Sequence, residues 1–194
     1  MTGVQTCALP ISYNSGAQAP AAGSSKLCLS CHDGTVAVGL TVSHGSIATT
    51  GSLGPAAIFG TNLSSDHPVG MLPVDDGQLV STLFNIPPST KDPAVTLSAG
   101  RVECGSCHDP HTPNNDATVP KFLARSNSNG QLCLACHEPS RPQPNQLNGW
   151  TTGAHATFTN TVPTAAGVGP YGTVAANACS SCHLSHRRSE EHTS

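Results

Sequence analysis

Four copies of the five-residue pattern C-x-x-C-H constrain this chain more than any other feature of its sequence. Their cysteines and histidines are Cys28, Cys31, Cys104, Cys107, Cys133, Cys136, Cys179 and Cys182, with His32, His108, His137 and His183. Residues at i, i+3 and i+4 share one face of a helical turn. Two thiols and one imidazole can therefore meet one flat ligand, and C-x-x-C-H is the attachment signal for c-type haem.

Zinc is the alternative to haem. Four C-x-x-C pairs could form two sites of the zinc-ribbon type, each with four thiolate ligands. A zinc ribbon does not require a particular residue type after each cysteine pair. In this chain the residue after each of the four pairs is histidine. The pattern favours four covalently attached c-type haems.

The composition is unsuited to an ordinary hydrophobic core. Aromatic residues make up 4% of the 194 residues, while 19 glycines and 16 prolines favour turns and loops. A chain so poor in large apolar side chains has little surface to bury on folding. We therefore expect a mostly irregular fold with short α-helices and little β-structure, packed around the four haems.

Both ends of the chain read like in-frame translations of short-read sequencing adapters, so we expect residues 1–11 and 188–194 not to be native. This expectation removes Cys7 and His192 from the candidate ligands. The Ala-, Gly- and Ser-rich residues 12–25 are interpreted as a linker or a truncated remnant. The remaining chain divides into a first haem segment (26–92), a paired-haem segment (93–140) and a fourth haem segment (141–187).

The charge balance bears on possible partners. The formal net charge is −3 at pH 7, and the propionates of bound haems would add negative charge. Nucleic-acid binding requires a basic face, so the sequence argues against it. No run of 18 apolar residues is present, so no membrane span is visible in the sequence.

Five histidines outside the motifs are candidates for the sixth, distal position of the four irons: His44, His67, His111, His155 and His186. The proline after His67 favours an extended backbone that can present the imidazole from a loop. Met71 is a less favoured candidate and is expected to serve in packing. We expect His67, His111 and His155 in the distal set, with His44 and His186 competing for the fourth place.

His111 and His186 each follow a motif histidine by three residues. Such a histidine lies on the proximal side of its own haem, so we expect it to reach a neighbouring one. His111 precedes Cys133 by 22 residues, enough chain to return over the third motif's haem. No motif follows His186, so the same reasoning assigns it to a haem outside this sequence.

The stretch Cys104-Gly-Ser-Cys107-His108-Asp-Pro-His111, with Phe122-Leu and Leu132-Cys133-Leu-Ala-Cys136-His137, resembles multihaem c-type cytochromes of the doubled C-x-x-C-H family. The resemblance covers some 35 residues well and extends loosely to Leu27–Gly39 and Ala178–His186. It implies a periplasmic or extracellular electron-transfer protein with bis-histidine haems. Such ligation, without methionine, favours low reduction potentials.

Three functions are compatible with these patterns. An electron carrier is favoured, because five spare histidines for four irons leave no position that must stay open to substrate. The alternatives are a fragment of a multihaem reductase and a self-associating subunit of an extracellular cytochrome filament. The expected partners are other redox proteins or extracellular electron acceptors.

Overall fold

Short helices separated by irregular chain make up most of the computed structural model. It describes residues 23–33, 40–41, 45–46, 57–60, 62–63, 66–75, 77, 79–112, 119–138, 173–181 and 185–186. The chain divides into two units, one formed by residues 1–71 with 185–194 and the other by residues 72–184.

The regular elements are short. The α-helices are α1 (Ser25–His32), α2 (Cys104–Cys107), α3 (Gln131–Leu134) and α4 (Val174–Asn177). Four 3-10 helices cover Ser81–Phe84, Pro120–Phe122, Ser128–Gly130 and Ala178–Ser181. Two strands of two residues each, β1 (Leu40–Thr41) and β2 (Gly45–Ser46), pair antiparallel with Leu40 opposite Ser46. The expected mostly irregular fold with short helices is confirmed for the described residues.

The first unit contains a small apolar core. Leu29 on α1 and Leu63 are buried together, and Phe59 and Met71 pack against them. The helix ends at its motif histidine, where the N–H of Asp33 donates to the carbonyl of Leu29 at 2.9 Å. Met71 thus serves in packing, as its sequence context suggested.

The second unit buries few large apolar side chains in its described part. They are Val80, Leu83 and Val95, together with Ala135 and Ala178. Two of the five are alanines, so the described residues of this unit remove little apolar surface from water. Within the described residues, no helix is long and apolar enough to cross a membrane.

A reciprocal pair of hydrogen bonds holds the start of α2. The Ser106 hydroxyl accepts the backbone N–H of Glu103 at 3.0 Å, and the Glu103 carboxylate accepts the backbone N–H of Ser106. Both residues are buried. A helix start leaves backbone N–H groups without partners in the helix itself, and this pair satisfies two of them.

Ser106→Ala should lower the free energy of unfolding by about 1–2 kcal/mol, because the buried Glu103 N–H loses its acceptor. Ser30→Ala is the matched control, since Ser30 holds the same place in the first motif but is exposed and bonds locally to the Leu27 carbonyl. The control should change stability by less than about 0.5 kcal/mol. Denaturant unfolding of the two variants measures the difference, and equal losses would contradict the assignment.

Candidate haem-attachment site

The described motifs share one backbone turn. In the second motif the His108 N–H donates to the Cys104 carbonyl at 3.0 Å, and in the third the His137 N–H donates to Cys133 at 2.9 Å. These i to i−4 bonds are α-helical. The first motif lies entirely within α1. In the second and third motifs the same backbone bond joins the histidine to the first cysteine, which agrees with the helical turn expected from the spacing.

A carbonyl fixes the imidazole of the first motif. His32 Nδ1 lies 2.7 Å from the Ala57 carbonyl oxygen, and the Phe59 N–H donates to the His32 carbonyl at 2.7 Å. A carbonyl oxygen can only accept, so Nδ1 must carry the proton. The lone pair of the neutral ring is then on Nε2, the nitrogen that a metal ion would bind.

The second motif repeats this arrangement with a strained turn. His108 Nδ1 lies 3.0 Å from the Lys121 carbonyl, and the Asp109 N–H donates to the Phe122 carbonyl at 2.7 Å. Lys121 and Phe122 have φ angles of 59° and 56°, in the left-handed region. Each such residue costs about 1–2 kcal/mol. The two strained residues are the ones whose carbonyls contact the motif. The strained backbone therefore supplies the oxygen that orients the His108 ring.

The segment 79–91 lies along the third motif. The Val80 N–H donates to the Cys136 carbonyl at 2.8 Å, and the Lys91 N–H donates to the Ala135 carbonyl at 2.8 Å. These bonds use carbonyls at the end of the motif turn, which the short α3 leaves without helical partners. The segment therefore fixes the direction in which the third motif leaves its helix.

Asn127 connects the third and fourth motifs. Its side-chain oxygen accepts the Leu132 N–H at 3.1 Å and lies 3.7 Å from Cys133 Sγ, while its amide nitrogen donates to Ser180 Oγ at 3.0 Å. One amide thus contacts residues of both motifs. The second unit consequently places these two attachment sites side by side.

The free thiols of the second unit influence one another. The pKa of Cys107 is raised to about 11, mainly by burial and to a lesser extent by the neighbouring thiol of Cys104. The pKa of Cys136 is also raised to about 11, mainly by burial and to a lesser extent by the thiol of Cys107. Cys133 donates a hydrogen bond to Cys179, which raises the pKa of Cys133 and lowers that of Cys179 to about 7. Cysteines of three different motifs therefore lie within electrostatic reach of each other.

Two distal candidates have defined local contacts. His67 Nδ1 lies 3.1 Å from the carbonyl of Pro68. Although the residue as a whole is exposed, packing around the ring lowers the pKa of His67, which favours the neutral, metal-binding form at pH 7. His111 is exposed, and its backbone N–H donates to the Asp109 carboxylate at 2.9 Å.

His186 has contacts of a different kind. Its Nδ1 lies 3.4 Å from Oδ1 of Asp66. Its ring stacks on Phe59, with 4.7 Å between ring centroids. Both partners belong to the same unit as the first motif.

Four predicted site residues lie outside the described residues: His44, His155, Cys182 and His183. Among the described residues, no group of three or more His, Cys, Asp or Glu side chains is arranged to hold a metal ion. The haem-attachment and iron-ligand roles of the motif cysteines and of the nine candidate histidines therefore remain predictions.

Sequence reasoning missed several contributors to the site. The carbonyls of Ala57 and Lys121 orient imidazoles through their backbone atoms, which leaves no signature in residue type. Asn127, Phe59 and Asp66 act through contacts with distant residues. Only Asp66 had a local signal, because it directly precedes the candidate ligand His67.

Comparison with known families agrees with this geometry. Residues 97–142 match the family model described as Doubled CXXCH motif. This segment carries a doubled CXXCH motif. The match covers the second and third motifs, 46 of the 194 residues, and indicates covalently bound c-type haem. A search of curated proteins finds no match to the chain.

The donor set fits such a haem. Each of the three described motifs carries its cysteines and its histidine on one short backbone turn, and His32 and His108 have Nδ1 directed to a carbonyl. Ligating histidines in proteins commonly donate their second ring N–H to such a partner. The cysteines would form the thioether links, and Nε2 of each motif histidine would bind iron.

A substitution at Gly130 tests how closely the chain before the third motif packs against the fourth motif. Its φ is +71°, and a Cβ there would lie 3.0 Å from Cys179 Sγ and 3.1 Å from the Ala178 Cβ. Gly130→Ala should lower the free energy of unfolding by about 1–3 kcal/mol beyond the cost of the backbone angle, because these atoms must move. It should also reduce haem attachment at Cys179, which the mass of the fourth-motif peptide would show.

Gly60→Ala is the matched control. Gly60 has the same φ of +71°, and no heavy atom of the described chain lies within 4 Å of the position its Cβ would take. The control carries only the backbone cost of about 1–2 kcal/mol. Equal losses of stability in the two variants, with full haem attachment in both, would contradict the proposed packing.

Proposed function

We propose that this protein transfers electrons through four covalently bound c-type haems, each with its iron held between two histidines. The observation that carries the proposal is the repeated motif turn, in which the histidine ring is oriented through Nδ1 by a backbone carbonyl at His32 and His108. The match of residues 97–142 to a doubled CXXCH motif supports the haem chemistry. The count of four follows from the four motifs in the sequence.

Different residues would attach each haem, ligate its iron and orient the ligand. The cysteine thiols would add across the vinyl groups of the porphyrin to form thioether bonds, and the motif histidines would bind the irons through Nε2. A bound haem supplies an iron that changes between the ferrous and ferric states. The carbonyls of Ala57 and Lys121 keep Nε2 as the basic nitrogen of His32 and His108.

The proximity of the motifs favours electron transfer between haems over chemistry at one isolated haem. Cys107 lies close enough to Cys133 and Cys136 to raise the pKa of both thiols. Asn127 joins the third and fourth motifs through hydrogen bonds. Haems attached at these sites would be neighbours, as exchange of electrons between them requires.

The number of histidines supports the role of a carrier. Five histidines outside the motifs are available for four distal positions, so each iron can be six-coordinate. Two imidazoles without methionine give low potentials. We therefore propose an electron carrier of the periplasm or the extracellular space, with redox proteins or extracellular acceptors as partners, and not an enzyme.

Expression with a c-type maturation system should give a denatured mass that exceeds the polypeptide mass by four haems. The thioether bonds survive denaturation, whereas a metal held by thiolates does not. A variant with Cys104→Ala and Cys107→Ala should lose one haem and keep three, because each motif attaches its own.

A polypeptide of unmodified mass that retains tightly bound zinc would contradict the proposal and favour the zinc alternative. Retention of four haems in the double-cysteine variant would also contradict the one-motif, one-haem assignment. Intact-protein mass spectrometry and metal analysis distinguish these outcomes on the same sample.

His111→Ala should convert one of the four irons from low spin to high spin while the haem count stays unchanged. The physical reason is loss of a distal imidazole with no loss of thioether bonds. Paramagnetic resonance of the oxidised protein measures the spin state. His192→Ala is the control, since His192 lies in the terminal residues expected not to be native; a spectrum unchanged by both substitutions would remove His111 from the distal set.

A further inference from the structure

The first unit brings residues from near the end of the sequence to the first motif. The Ser185 carbonyl accepts the backbone N–H of His67 at 2.8 Å. The next residue, His186, stacks on Phe59 at 4.7 Å between centroids and 28° between ring planes. Phe59 also stacks on His32, at 5.8 Å and 22°. One phenyl ring therefore contacts both the first motif's imidazole and the imidazole of His186.

A buried carboxylate orients His186. The Asp66 side chain is only 5% exposed, and its Oδ1 lies 3.4 Å from His186 Nδ1, whereas the His186 side chain is 40% exposed. A carboxylate oxygen accepts, so it favours the proton on Nδ1 and the lone pair on Nε2. Such a partner also increases the basicity of a ligating histidine.

His186 thus has both features expected of a ligand to the first motif's haem. Its ring is one aromatic contact away from His32, and its Nδ1 has an acidic partner. His67 lies in the same unit but directs Nδ1 to the carbonyl of its own neighbour Pro68, at 3.1 Å. The contacts with Phe59 and Asp66 distinguish His186 from His67.

We propose that His186 is the distal iron ligand of the haem attached at Cys28 and Cys31, and that Asp66 is its positioning residue. This inference rests on the proposed function, since it requires a haem at the first motif. The assignment differs from the one suggested by sequence offset, which placed His186 on a haem outside the chain. With the haem bound, the negative charge of Asp66 would increase electron donation by the imidazole and stabilise ferric iron, which would lower the potential of this haem.

The first test is the variant His186→Ala, compared with the unaltered four-haem protein. One haem equivalent should become high spin in paramagnetic resonance, the denatured mass should still show four haems, and added imidazole should restore the low-spin signal. Restoration by imidazole separates loss of a ligand from misfolding. A spectrum that stays fully low spin would overturn the proposal.

A second variant identifies the affected haem. Cys28→Ala with Cys31→Ala should yield a three-haem protein that lacks the first haem. In that background His186→Ala should create no further high-spin iron. A new high-spin signal there would show that His186 ligates another haem and would overturn the assignment.

The role of Asp66 is tested by reduction potential. Asp66→Asn keeps an acceptor near Nδ1 but removes the charge, so one haem should shift to higher potential while all irons stay low spin. Asp75→Asn is the matched control, because Asp75 is exposed and its carboxylate accepts the N–H of the nearby Gly77 at 2.9 Å. Unchanged potentials in Asp66→Asn, or the same shift in both variants, would overturn the positioning role.

The outcomes separate the two proposals. Absence of covalent haem would contradict the proposed function itself. Four attached haems with no response to His186→Ala would leave electron transfer intact and contradict only the assignment of this ligand.

Discussion

The structure depends on holding an imidazole by one nitrogen so that the other can bind a metal. His32 and His108 are held by carbonyls at 2.7 and 3.0 Å, and His186 by a buried carboxylate at 3.4 Å. Each contact selects the tautomer with the lone pair on Nε2. Backbone carbonyls of Ala57 and Lys121 supply two of these oxygens, and the side chain of Asp66 supplies the third.

The second constraint is the scarcity of apolar side chains. The described residues bury only seven hydrophobic side chains, two of them alanines, while Leu27, Val74 and Ile86 are 77%, 72% and 100% exposed. So small a core in the described part of the chain gains little from the hydrophobic effect. Covalently attached haems would add apolar surface to it. The proposed cofactors would then be a structural component as well as redox centres.

The sequence predicted what depends on local spacing and missed what depends on contacts across the chain. The helical turn of the motifs, the short helices and the packing role of Met71 follow from residue type and neighbours. The carbonyls that orient His32 and His108 belong to residues 25 and 13 positions away, and any residue type could supply them. The place of His186 beside Phe59 and Asp66 is likewise a tertiary contact, which an offset of three residues from His183 could not reveal.

Comparison of the same chain with and without its haems tests most directly whether the haems complete the core. The haem-loaded protein should unfold in a cooperative transition, whereas chain produced without c-type maturation should show no cooperative transition by circular dichroism. This result would establish that the haems complete the core. Cooperative unfolding of the haem-free chain at similar stability would contradict the central claim, since the polypeptide would then fold without the cofactors.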